Sequence, residues 1–424
     1  MHGWSPERVA EAAGGRLVSP APHTGGPGRV VIDSRAAGPG DLFVGLPGEQ
    51  VDGGRFAVDA LAGGAWGVLV AREHAEAARC AVPGALIAAE DPLAALGALA
   101  LQWRRALGAQ VVGVTGSTGK TSTKDLLAAM LAPHRSVVAT HANLNTEIGL
   151  PLTILGAPEG TEVLVLEMAM RGAGQIAELV AIAEPDVGII TNVGPVHLEL
   201  LGSMEAVAAA KAELVRDLRP GTTAVLPAGE PLLDVHLRDD ITVVRFGLEP
   251  LPDGLELPFS SAHMLVNARA AVAAARALGV EPSGRVEVTL SAMRGQRIEL
   301  PGHVVVVNDC YNANPMSMRA ALDDLAVSAD GRRVAVLGDM LELGPDERRF
   351  HAEIGEHARA AGVELLVTVG PLAREMHGDH AVDTAAEAAQ LIGELVAPGD
   401  TVLVKASRGV GLEVVAEALQ EAAA

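Results

Sequence analysis

One stretch constrains the fold of this chain more than any other, and it reads VVGVTGSTGKTSTKDLLAAM (residues 111–130). An apolar run, Val111–Val114, ends in a turn that contains Gly116 and Gly119, and a helical pattern of apolar residues follows. A strand, a glycine turn, Gly-Lys-Thr and a helix in that order are typical of a phosphate-binding loop. The strict G-x-x-x-x-G-K-[ST] pattern is not met, because Val114 occupies the position of its first glycine. An ordinary glycine-rich turn between a strand and a helix is the alternative interpretation.

The chemistry of these residues favours the phosphate-binding interpretation. Glycines let the backbone approach a triphosphate closely, and the helix N-terminus adds the positive end of its dipole. Lys120 brings a mobile cation to the β and γ phosphates, and Thr121 can place its hydroxyl on Mg²⁺. The expected contacts of a nucleoside triphosphate are therefore Gly116, Ser117, Thr118, Gly119, Lys120, Thr121 and Ser122.

The length and composition of the chain limit its class. A chain of 424 residues is too long for one ordinary core and is expected to form two or three domains. The net charge of -21 argues against nucleic acid or an anionic membrane as the main partner. Two cysteines, Cys80 and Cys310, suggest no disulfide framework. Because we find neither a secretory signal nor an uncharged run long enough to span a bilayer, we expect a soluble cytoplasmic protein.

Alternating strand and helix patterns predict an α/β protein of three domains with mostly parallel sheets. We place a small domain at residues 1–108, a nucleotide-binding domain at 109–297 and a third domain at 298–424, with Arg297 in a linker position. In the first domain, a predicted strand ends at Asp33-Ser34-Arg35. These side chains could bind a phosphate or a sugar, or they could form a surface loop with a local Asp–Arg pair. The spacing does not decide between the two interpretations.

Polar residues near strand ends of the second domain are further candidates. Glu167 ends the strand pattern that begins at Glu162, and a carboxylate there, beside a phosphate loop, is a usual Mg²⁺ ligand. A probable loop also carries polar residues, although such residues are usually turn formers: these are Asn143, Asn145 and Thr146.

Two basic residues follow in the same domain, His197 in a loop and Lys211 on a predicted helix. A lone loop histidine is more often structural, and a lone helical lysine more often faces solvent. The run of alanines before Lys211, however, indicates a helix face that packs closely against something.

Several motifs occur in one order along the whole chain. The first domain contains DSR, PGDLFVGLPGE and VDG; the second contains TGSTGKTSTKD, NLNTEIGLP, LEMAM, TNVGPVHLELLGS and AAAKAEL; the third contains NDCYNANPMSM, LGDMLELG and GDTVLVKASR. This ordered set resembles the Mur ligases, the ATP-dependent amide ligases that build the stem peptide of peptidoglycan. Within that family, NDCYNANPMSM and LGDMLELG are similar to the branch that adds D-alanyl-D-alanine. The Asp-Asn-Pro-Arg motif of the branch that adds diaminopimelate or lysine is absent.

The resemblance implies a fold and a reaction. It implies a UDP-binding N-terminal domain, a central P-loop ATPase-like domain and a Rossmann-like C-terminal domain on the amine side. In the implied reaction, ATP phosphorylates the terminal carboxylate of UDP-N-acetylmuramoyl-tripeptide, and D-alanyl-D-alanine then attacks the acyl phosphate. The implied cofactors are ATP and two Mg²⁺ ions, with Lys211 carrying a carbamate. We expect a monomer with no integral membrane segment.

The resemblance also implies roles for individual residues. Lys120, His197 and Lys211 are the implied catalytic residues. The implied metal contacts are Thr121 and Glu167 for the first Mg²⁺, and His197 and Lys211 for the second. Further nucleotide contacts are Asn267 at the adenine, and Arg297 and Asp309 at the phosphates and ribose. The expected substrate contacts are Ser34 and Arg35 for UDP, Asn143, Asn145 and Thr146 for the muramyl peptide, and Asn312, Asn314, Arg319 and Arg408 for the dipeptide. For the dipeptide group, capping and stabilising of turns is the alternative.

The sequence departs from the family pattern at four places. Met264 follows His263 where an Asn is usual, and Pro227-Ala228-Gly229 replaces an Asn-Ala-Asp. The stretch between residues 246 and 263 is short, and Ala142 stands where a Gly is typical. A divergent paralogue that joins another amine to a UDP-peptide or a related carboxylate therefore stays open. A GTPase switch lacks its Asn-Lys-x-Asp motif here, and the retained motif residues argue against an inactive binding subunit.

Overall fold

The computed structural model describes residues 1–20, 25–79, 83–247, 249–289, 291 and 293–423, so that Cys80 lies outside the described residues. The chain folds as an α/β protein with three large sheets that follow one another along the sequence. Most strands within each sheet are parallel, because helices connect them, and the predicted fold class is confirmed.

The first sheet consists of β1 (Arg16–Ser19), β2 (Arg29–Val31), β3 (Asp41–Val44), β4 (Gly67–Ala71) and β5 (Ala85–Ala89). Its helices are α1 (Pro6–Ala12), α2 (Ala57–Ala62), α3 (Arg72–Ala78) and α4 (Pro92–Leu107). The strands lie in the order β1-β5-β4-β3-β2, and β1 is antiparallel to β5. Ser5 caps the α1 helix, since its Oγ accepts a hydrogen bond from the backbone N–H of Arg8, and Pro6 opens the first turn.

The second sheet is parallel throughout and consists of β6 (Gln110–Thr115), β7 (Val137–Ala139), β8 (Val163–Glu167), β9 (Val187–Ile190), β10 (Thr223–Pro227) and β11 (Thr242–Phe246). Its helices are α5 (Lys120–Leu131), α6 (Gly149–Gly156), α7 (Gln175–Ala183), α8 (Leu198–Leu201), α9 (Met204–Arg216), α10 (Pro231–Asp234) and α11 (Ala262–Ala277). The strand order β11-β10-β9-β6-β8-β7 puts β6 between β9 and β8, so three strand ends surround the phosphate loop. A small two-stranded sheet pairs β12 (Leu255–Glu256) with β13 (Gly284–Arg285).

The third sheet consists of β14 (Gln296–Leu300), β15 (Val304–Asn308), β16 (Arg333–Gly338), β17 (Leu365–Val369), β18 (His380–Val382) and β19 (Thr401–Lys405). Its helices are α12 (Pro315–Ser328), α13 (Glu347–Ala360), α14 (Ala385–Leu395) and α15 (Glu413–Ala423). The order is β14-β15-β19-β16-β17-β18, with β14 antiparallel to β15. Arg297 therefore lies on an edge strand, and its expected position in a linker is wrong.

Small aliphatic side chains form the cores, in keeping with an aromatic content of 2%. The α5 helix packs on α11, whose buried face carries Ala268, Ala271 and Ala274. Because alanine side chains are short, the two helices come close together, and the first turns of both lie near the phosphate loop. Within the described ranges, no helix combines the length and apolar character needed to cross a membrane.

Candidate active site

The phosphate loop joins β6 to α5, and the residues that follow β9 hold it in shape. Thr191 Oγ donates to the carbonyl of Thr118 at 2.5 Å, and Asn192 Oδ1 accepts from the Thr118 N–H at 2.9 Å. Ser117 Oγ accepts from the Gly194 N–H at 2.8 Å. Gly116 has a φ of 147°, and a Cβ there would collide with the Thr191 hydroxyl, so only glycine fits. The loop is thus pre-formed in the strand–turn–helix context that the sequence predicts.

Lys120 begins α5 and folds back over this loop. Its Nζ donates to the carbonyl of Gly116 at 2.8 Å, while Ser122 lies in the same first helical turn. Burial lowers the pKa of the Lys120 ammonium, Glu167 opposes this shift, and Arg294 adds to it. Lys120 therefore shares its surroundings with a second cation, an arrangement that favours the arrival of an anion.

Glu167 is the centre of the polar contacts beside the loop. It ends β8 in the core, and its carboxylate accepts from Thr121 Oγ at 2.7 Å and from Asn145 Nδ2 at 2.8 Å. Asn145 lies in the expected substrate loop, where its N–H donates to the carbonyl of Asn143 and where Thr146 accepts from the Leu150 N–H. The carboxylate thus joins a nucleotide-side hydroxyl to a substrate-side amide.

These residues fit a Mg²⁺ ion that is shared with phosphates. Among the described residues, no three His, Cys, Asp or Glu side chains cluster as an all-protein metal site. Mg²⁺ on a nucleotide needs only one or two carboxylates, because phosphate oxygens and water complete its octahedron. Glu167 and Thr121 supply one carboxylate and one hydroxyl at hydrogen-bond distance from each other, which matches that requirement.

Lys211 and His197 also belong to this site. Lys211 is buried on α9, and within the described part of the chain its Nζ has no hydrogen-bond partner. Burial, with a smaller contribution from Lys120, lowers the pKa of Lys211 well below its usual value. Burial also lowers the pKa of His197; Glu342 opposes that shift, and Lys211 and Lys120 add to it. As they stand, His197 and Lys211 provide nitrogen ligands and no anionic ligand.

Asn267 lies directly against the phosphate loop. It is buried on the first half of α11, and a Cβ on Gly119 would collide with its amide oxygen. Its Nδ2 lies 3.8 Å from the sulfur of Met264, one of the residues that depart from the family pattern. Asn267 is therefore at the loop, with a thioether where the family pattern supplies a second amide.

Two arginines lie at the start of the third sheet or just before it, and the one near the phosphate loop is not the one expected from the sequence. Arg297 is exposed on β14 and donates to Ser328 Oγ at 3.0 Å, so in this structure it does not reach the loop. Arg294 is the arginine whose charge helps to lower the pKa of Lys120. Its guanidinium lies 3.9 Å from the centre of the Tyr311 ring. The sequence analysis missed Arg294 because two arginines share this short segment and no spacing rule separates them.

Asp309 directly follows β15, and residues from two separate parts of the chain hold its carboxylate. Asp309 Oδ1 accepts from the Gly295 N–H at 3.1 Å, and Oδ2 pairs with Lys405 Nζ at 2.6 Å. The chain has four lysines, and Lys405, like Lys211 and Lys124, is buried. Lys405 also donates to the carbonyl of Asn312 at 2.9 Å. The segment after β15 is therefore fixed to the turn that carries Arg294.

The residues expected to bind the dipeptide are engaged locally. Asn314 caps α12 by accepting from the Ser317 N–H at 3.0 Å, and Asn312 Oδ1 accepts from the Ala313 N–H at 2.9 Å. Arg319 pairs with Glu353 at 2.6 Å, and Arg408 pairs with Glu413 at 3.0 Å. The alternative of turn capping therefore describes Asn314, and neither arginine presents a free guanidinium.

The residues expected to bind UDP lie on the first sheet. Arg35 pairs with Asp33 at 2.8 Å, which lowers the pKa of Asp33 to about 2, and Ser34 begins the short helical turn between them. The side chain of Arg35 is 88% exposed. Of the two interpretations from sequence, the local Asp–Arg pair is the one observed here.

Comparison with known proteins gives three family matches along the chain. They are "Mur ligase family, catalytic domain" at residues 29–138, "Mur ligase middle domain" at residues 114–258 and "Mur ligase, glutamate ligase domain" at residues 293–408. A UDP-N-acetylmuramoyl-tripeptide–D-alanyl-D-alanine ligase from Bacillus subtilis is 34% identical over 98% of this chain and 98% of its own. This chain belongs to the Mur ligase family.

Solved Mur ligase structures have the same architecture. A crystal structure of MurF from Acinetobacter baumannii matches with a TM-score of 0.87 and 28% identity, covering 99% of both chains. MurF from Thermotoga maritima in complex with ADP matches with a TM-score of 0.82 and 31% identity, covering 93% of this chain and 97% of its own. Since the coverage is nearly complete, the three-sheet arrangement is that of the MurF ligases.

Proposed function

We propose that this chain is an ATP-dependent ligase that joins D-alanyl-D-alanine to UDP-N-acetylmuramoyl-tripeptide in the synthesis of peptidoglycan precursors. One observation carries the proposal: the buried Glu167 carboxylate contacts both Thr121 of the phosphate loop and Asn145 of the expected muramyl-peptide loop. A ligase of this kind must bring a triphosphate and a peptide carboxylate together, and Glu167 links the two sides. The relatives with matching length carry the name of this reaction.

The proposed reaction has two steps. An oxygen of the terminal carboxylate of the tripeptide forms a bond to the γ-phosphorus of ATP, the bond to the β–γ bridging oxygen breaks, and ADP leaves. The amine of the dipeptide then attacks the carbonyl carbon of the acyl phosphate. The C–O bond to phosphate breaks in the tetrahedral intermediate, phosphate leaves, and the amine gives up its proton to phosphate or water. Positioning and charge neutralisation supply most of the catalysis in reactions of this type.

Lys120 and Arg294 are the proposed cations at the transferred phosphate. Lys120 lies over the loop, and Arg294 is placed by Tyr311 and acts on Lys120. Arg294 Nε is buried with no hydrogen-bond partner among the described residues, so a phosphate oxygen would satisfy it. We assign this role to Arg294 instead of Arg297. Mg²⁺ at Thr121 and Glu167 would neutralise phosphate charge.

A carbamate on Lys211 is part of the proposal. The nitrogen of a neutral amine forms a bond to the carbon of CO₂, loses a proton to water and becomes a carbamate, whose oxygens carry the negative charge. Burial lowers the pKa of Lys211 and so favours the neutral amine that this reaction needs. The carbamate would then provide, beside His197, the anionic ligand that a second Mg²⁺ requires.

The remaining assignments follow from the same family. We propose that residues 1–108 bind the UDP end of the acceptor, that residues 109–297 bind ATP, and that residues 298–424 bind the amine. We also propose a monomer that works in the cytoplasm. The local pairing of Asn314, Arg319 and Arg408 means that the dipeptide must displace these contacts or bind beside them.

A divergent paralogue with another amine is the second candidate. The observation that favours it is Met264, which contacts Asn267 and supplies a thioether where the family pattern has an amide. Product mass spectrometry separates the two candidates. The purified protein is incubated with ATP, Mg²⁺, a UDP-N-acetylmuramoyl-tripeptide and one amine at a time: D-alanyl-D-alanine, D-alanine, L-alanyl-L-alanine or diaminopimelate.

We expect a product equal in mass to the tripeptide plus D-alanyl-D-alanine minus water, with one phosphate released per product. Free D-alanine should give a far lower kcat/KM because it lacks the contacts of the second residue. A preference for a single amino acid would establish the paralogue instead. Phosphate release that does not depend on either substrate would exclude ligase chemistry.

A further inference from the structure

A carboxylate from the third sheet reaches the site on the second. Glu342 lies in the loop after β16, and its Oε2 is 2.5 Å from Nδ1 of His197. The two residues are 145 positions apart in the chain, so only the docking of the third unit (residues 298–424) on the second brings them together. The side chains are 23% and 39% exposed for His197 and Glu342, so the contact is partly shielded from solvent.

Both partners have strained backbones. His197 has a φ of 53° and Glu342 a φ of 64°, in the left-handed region that side chains with a Cβ avoid. Such a conformation is unfavourable, and strain of this kind persists where the surrounding structure enforces it. Two strained residues that meet across an interface indicate that the fold enforces this contact, because an ordinary surface ion pair would not need either conformation.

The backbone on each side of the contact is also fixed. The N–H of Met340 donates to Nε2 of His351 at 2.9 Å, and the N–H of Leu341 donates to Ser407 Oγ at 2.9 Å. Across the interface, the N–H of Glu199 faces the carbonyl of Glu342 at 3.4 Å. The backbone that carries Glu342 is therefore held in place beside His197.

This geometry determines which nitrogen of His197 is available. A carboxylate can only accept, so Nδ1 must carry a proton while it contacts Glu342. In the neutral ring, Nε2 then has the free lone pair and is the nitrogen that can bind a metal or accept a proton. A histidine ligand usually donates its other N–H to a carboxylate in this way, which fixes both the tautomer and the orientation of the ring.

We propose that Glu342 is the positioning residue of His197, and that it holds the imidazole as the Nδ1–H tautomer only when the third unit is docked. The inference rests on the proposed function for what Nε2 faces, but the tautomer itself is a property of the free protein. Docking of the amine-side unit thereby prepares a group on the ATP-side unit, so that the second metal position is complete only in the docked arrangement.

The test observes the ring directly. Protein labelled with ¹⁵N-histidine is examined by long-range ¹⁵N–¹H correlation at neutral pH without metal, and a His197→Gln variant identifies the His197 signals. We expect the wild-type protein to show a protonated Nδ1 and an unprotonated Nε2. Glu342→Ala should lose this pattern, and Glu342→Gln should keep it in part because its amide oxygen can still accept from Nδ1.

Asp323→Asn is the matched control. It removes the carboxylate of another histidine pair, His357 with Asp323 at 2.7 Å, which lies on the surface of the third unit. This variant should leave the His197 signals unchanged. Mn²⁺ affinity, measured by electron paramagnetic resonance with an ATP analogue, should fall on the order of 10–100-fold in Glu342→Ala. The KM for the dipeptide should change little.

The outcomes of this tautomer test can be distinguished from the outcomes of the test of the proposed function. An Nε2–H tautomer in the wild-type protein would refute the positioning role, and this outcome does not depend on whether a Glu342 variant folds. An unchanged His197 pattern in folded Glu342→Ala would refute it as well. Wild-type ligase activity is measured on the same samples, so a protein with the expected tautomer and no product would contradict the proposed function alone.

Discussion

Positive charge is concentrated at single residues around the phosphate loop, within a chain whose net charge is -21. These cations act on one another's pKa values. In addition to burial, Lys120 lowers the pKa of Lys211, and Arg294 lowers the pKa of Lys120. Like charges held together in a partly desolvated place are unfavourable unless an anion arrives. The phosphates of ATP are such an anion, and the loop N–H groups add to the attraction.

Lys120→Ala should abolish most turnover while the fold is retained. The substitution removes a contact to the phosphate whose charge changes in the transition state, which costs on the order of 10²–10³-fold in kcat. The measurement is substrate-dependent phosphate release, with thermal unfolding to show that the variant is folded. Near-normal turnover would mean that this loop is not the ATP site.

Lys211 should carry a carbamate when CO₂ is present. Burial lowers the pKa of Lys211, which increases the fraction of neutral amine, and the neutral amine is the form that reacts. We expect one carbamate signal in ¹³C spectra recorded with ¹³C-bicarbonate, and its loss in Lys211→Ala. Only four lysines are present, and the other three donate to backbone carbonyls, so the assignment is simple.

The Lys211→Ala variant should also lose ligase activity and regain part of it with added formate or acetate. These small carboxylates can occupy the position that the carbamate leaves. A carbamate signal that persists in the variant, or a wild-type protein with no signal and full activity, would contradict this role for Lys211.

Arg294→Ala should weaken the use of ATP more than the binding of ADP. A charged hydrogen bond to the terminal phosphate contributes about 1.5–3 kcal/mol, so kcat/KM for ATP should fall on the order of 10–100-fold. Calorimetric titration with ADP and with a non-hydrolysable ATP analogue measures the difference. Arg349→Ala is the control, since Arg349 also lies over a ring, that of Phe350, but pairs with Asp346. Equal effects of the two substitutions would exclude Arg294 from the phosphate site.

The sequence predicts some of these residues and not others for physical reasons. Lys120, Thr121 and Glu167 are found because a loop between a strand and a helix, and the end of a neighbouring strand, have fixed positions in a parallel sheet. The contacts of Arg294 and Glu342 depend on how two units dock, and no local pattern records that. The capping role of Asn314 is a local property, and it was foreseen only as an alternative.

At the scale of elements, the phosphate loop lies in close contact with α11. Gly119 has a φ of 77° and faces Asn267, which α11 carries because its alanines let it lie on α5. The loop and the adenine-side residue are therefore parts of one packed group, and a change in one moves the other.

Gly119→Ala should weaken nucleotide binding as well as stability. A left-handed alanine costs about 1–2 kcal/mol, and here its Cβ would also displace Asn267. Gly108→Ala is the matched control, because Gly108 has a φ of 65° at the end of α4 with nothing within 4 Å of an added Cβ. Both variants should unfold at lower denaturant concentration, and only Gly119→Ala should bind an ATP analogue more weakly. Unaltered binding in that variant would separate Asn267 from the nucleotide.

Most elements of the fold are predictable from sequence, and the exceptions are informative. Buried strands such as β9 and β19 are apolar runs with turns at both ends, so their positions follow from composition. The β14 strand reads QRIEL and has no such pattern. It is a strand because β15 pairs with it along its whole length, which is a tertiary cause.

At the scale of the whole molecule, the second and third units touch at several separate points. Glu342 meets His197, the Met316 side chain lies directly on Gly194, and Ser291 donates to Asp125 on α5. The last contact holds the connecting segment, and the first two hold the docked faces. Units joined by few polar contacts and one segment can separate as rigid bodies.

Ligands should therefore draw the undocked fraction of the free protein into the docked arrangement. An ATP analogue with UDP-N-acetylmuramoyl-tripeptide should decrease the radius of gyration measured by small-angle scattering, because both units contribute contacts to the nucleotide. Lys120→Ala with the same ligands should compact less, since it retains less nucleotide. Identical scattering curves for the free and the liganded wild-type protein would show that no closure occurs.

The contact of Met316 with Gly194 bears on the rate of the catalytic cycle. Met316 lies in the first turn of α12 and covers the loop after β9 that supports the phosphate loop, so the docked third unit lies directly against this support. We expect each catalytic cycle to include an undocking event in which one protein unit moves through solvent. Motion of that kind is slowed by viscosity, whereas bond breaking is not. In glycerol or sucrose solutions, the steady-state rate should decline with viscosity while the first turnover stays fast, and a mutation that loosens the Met316 contact should relieve the dependence.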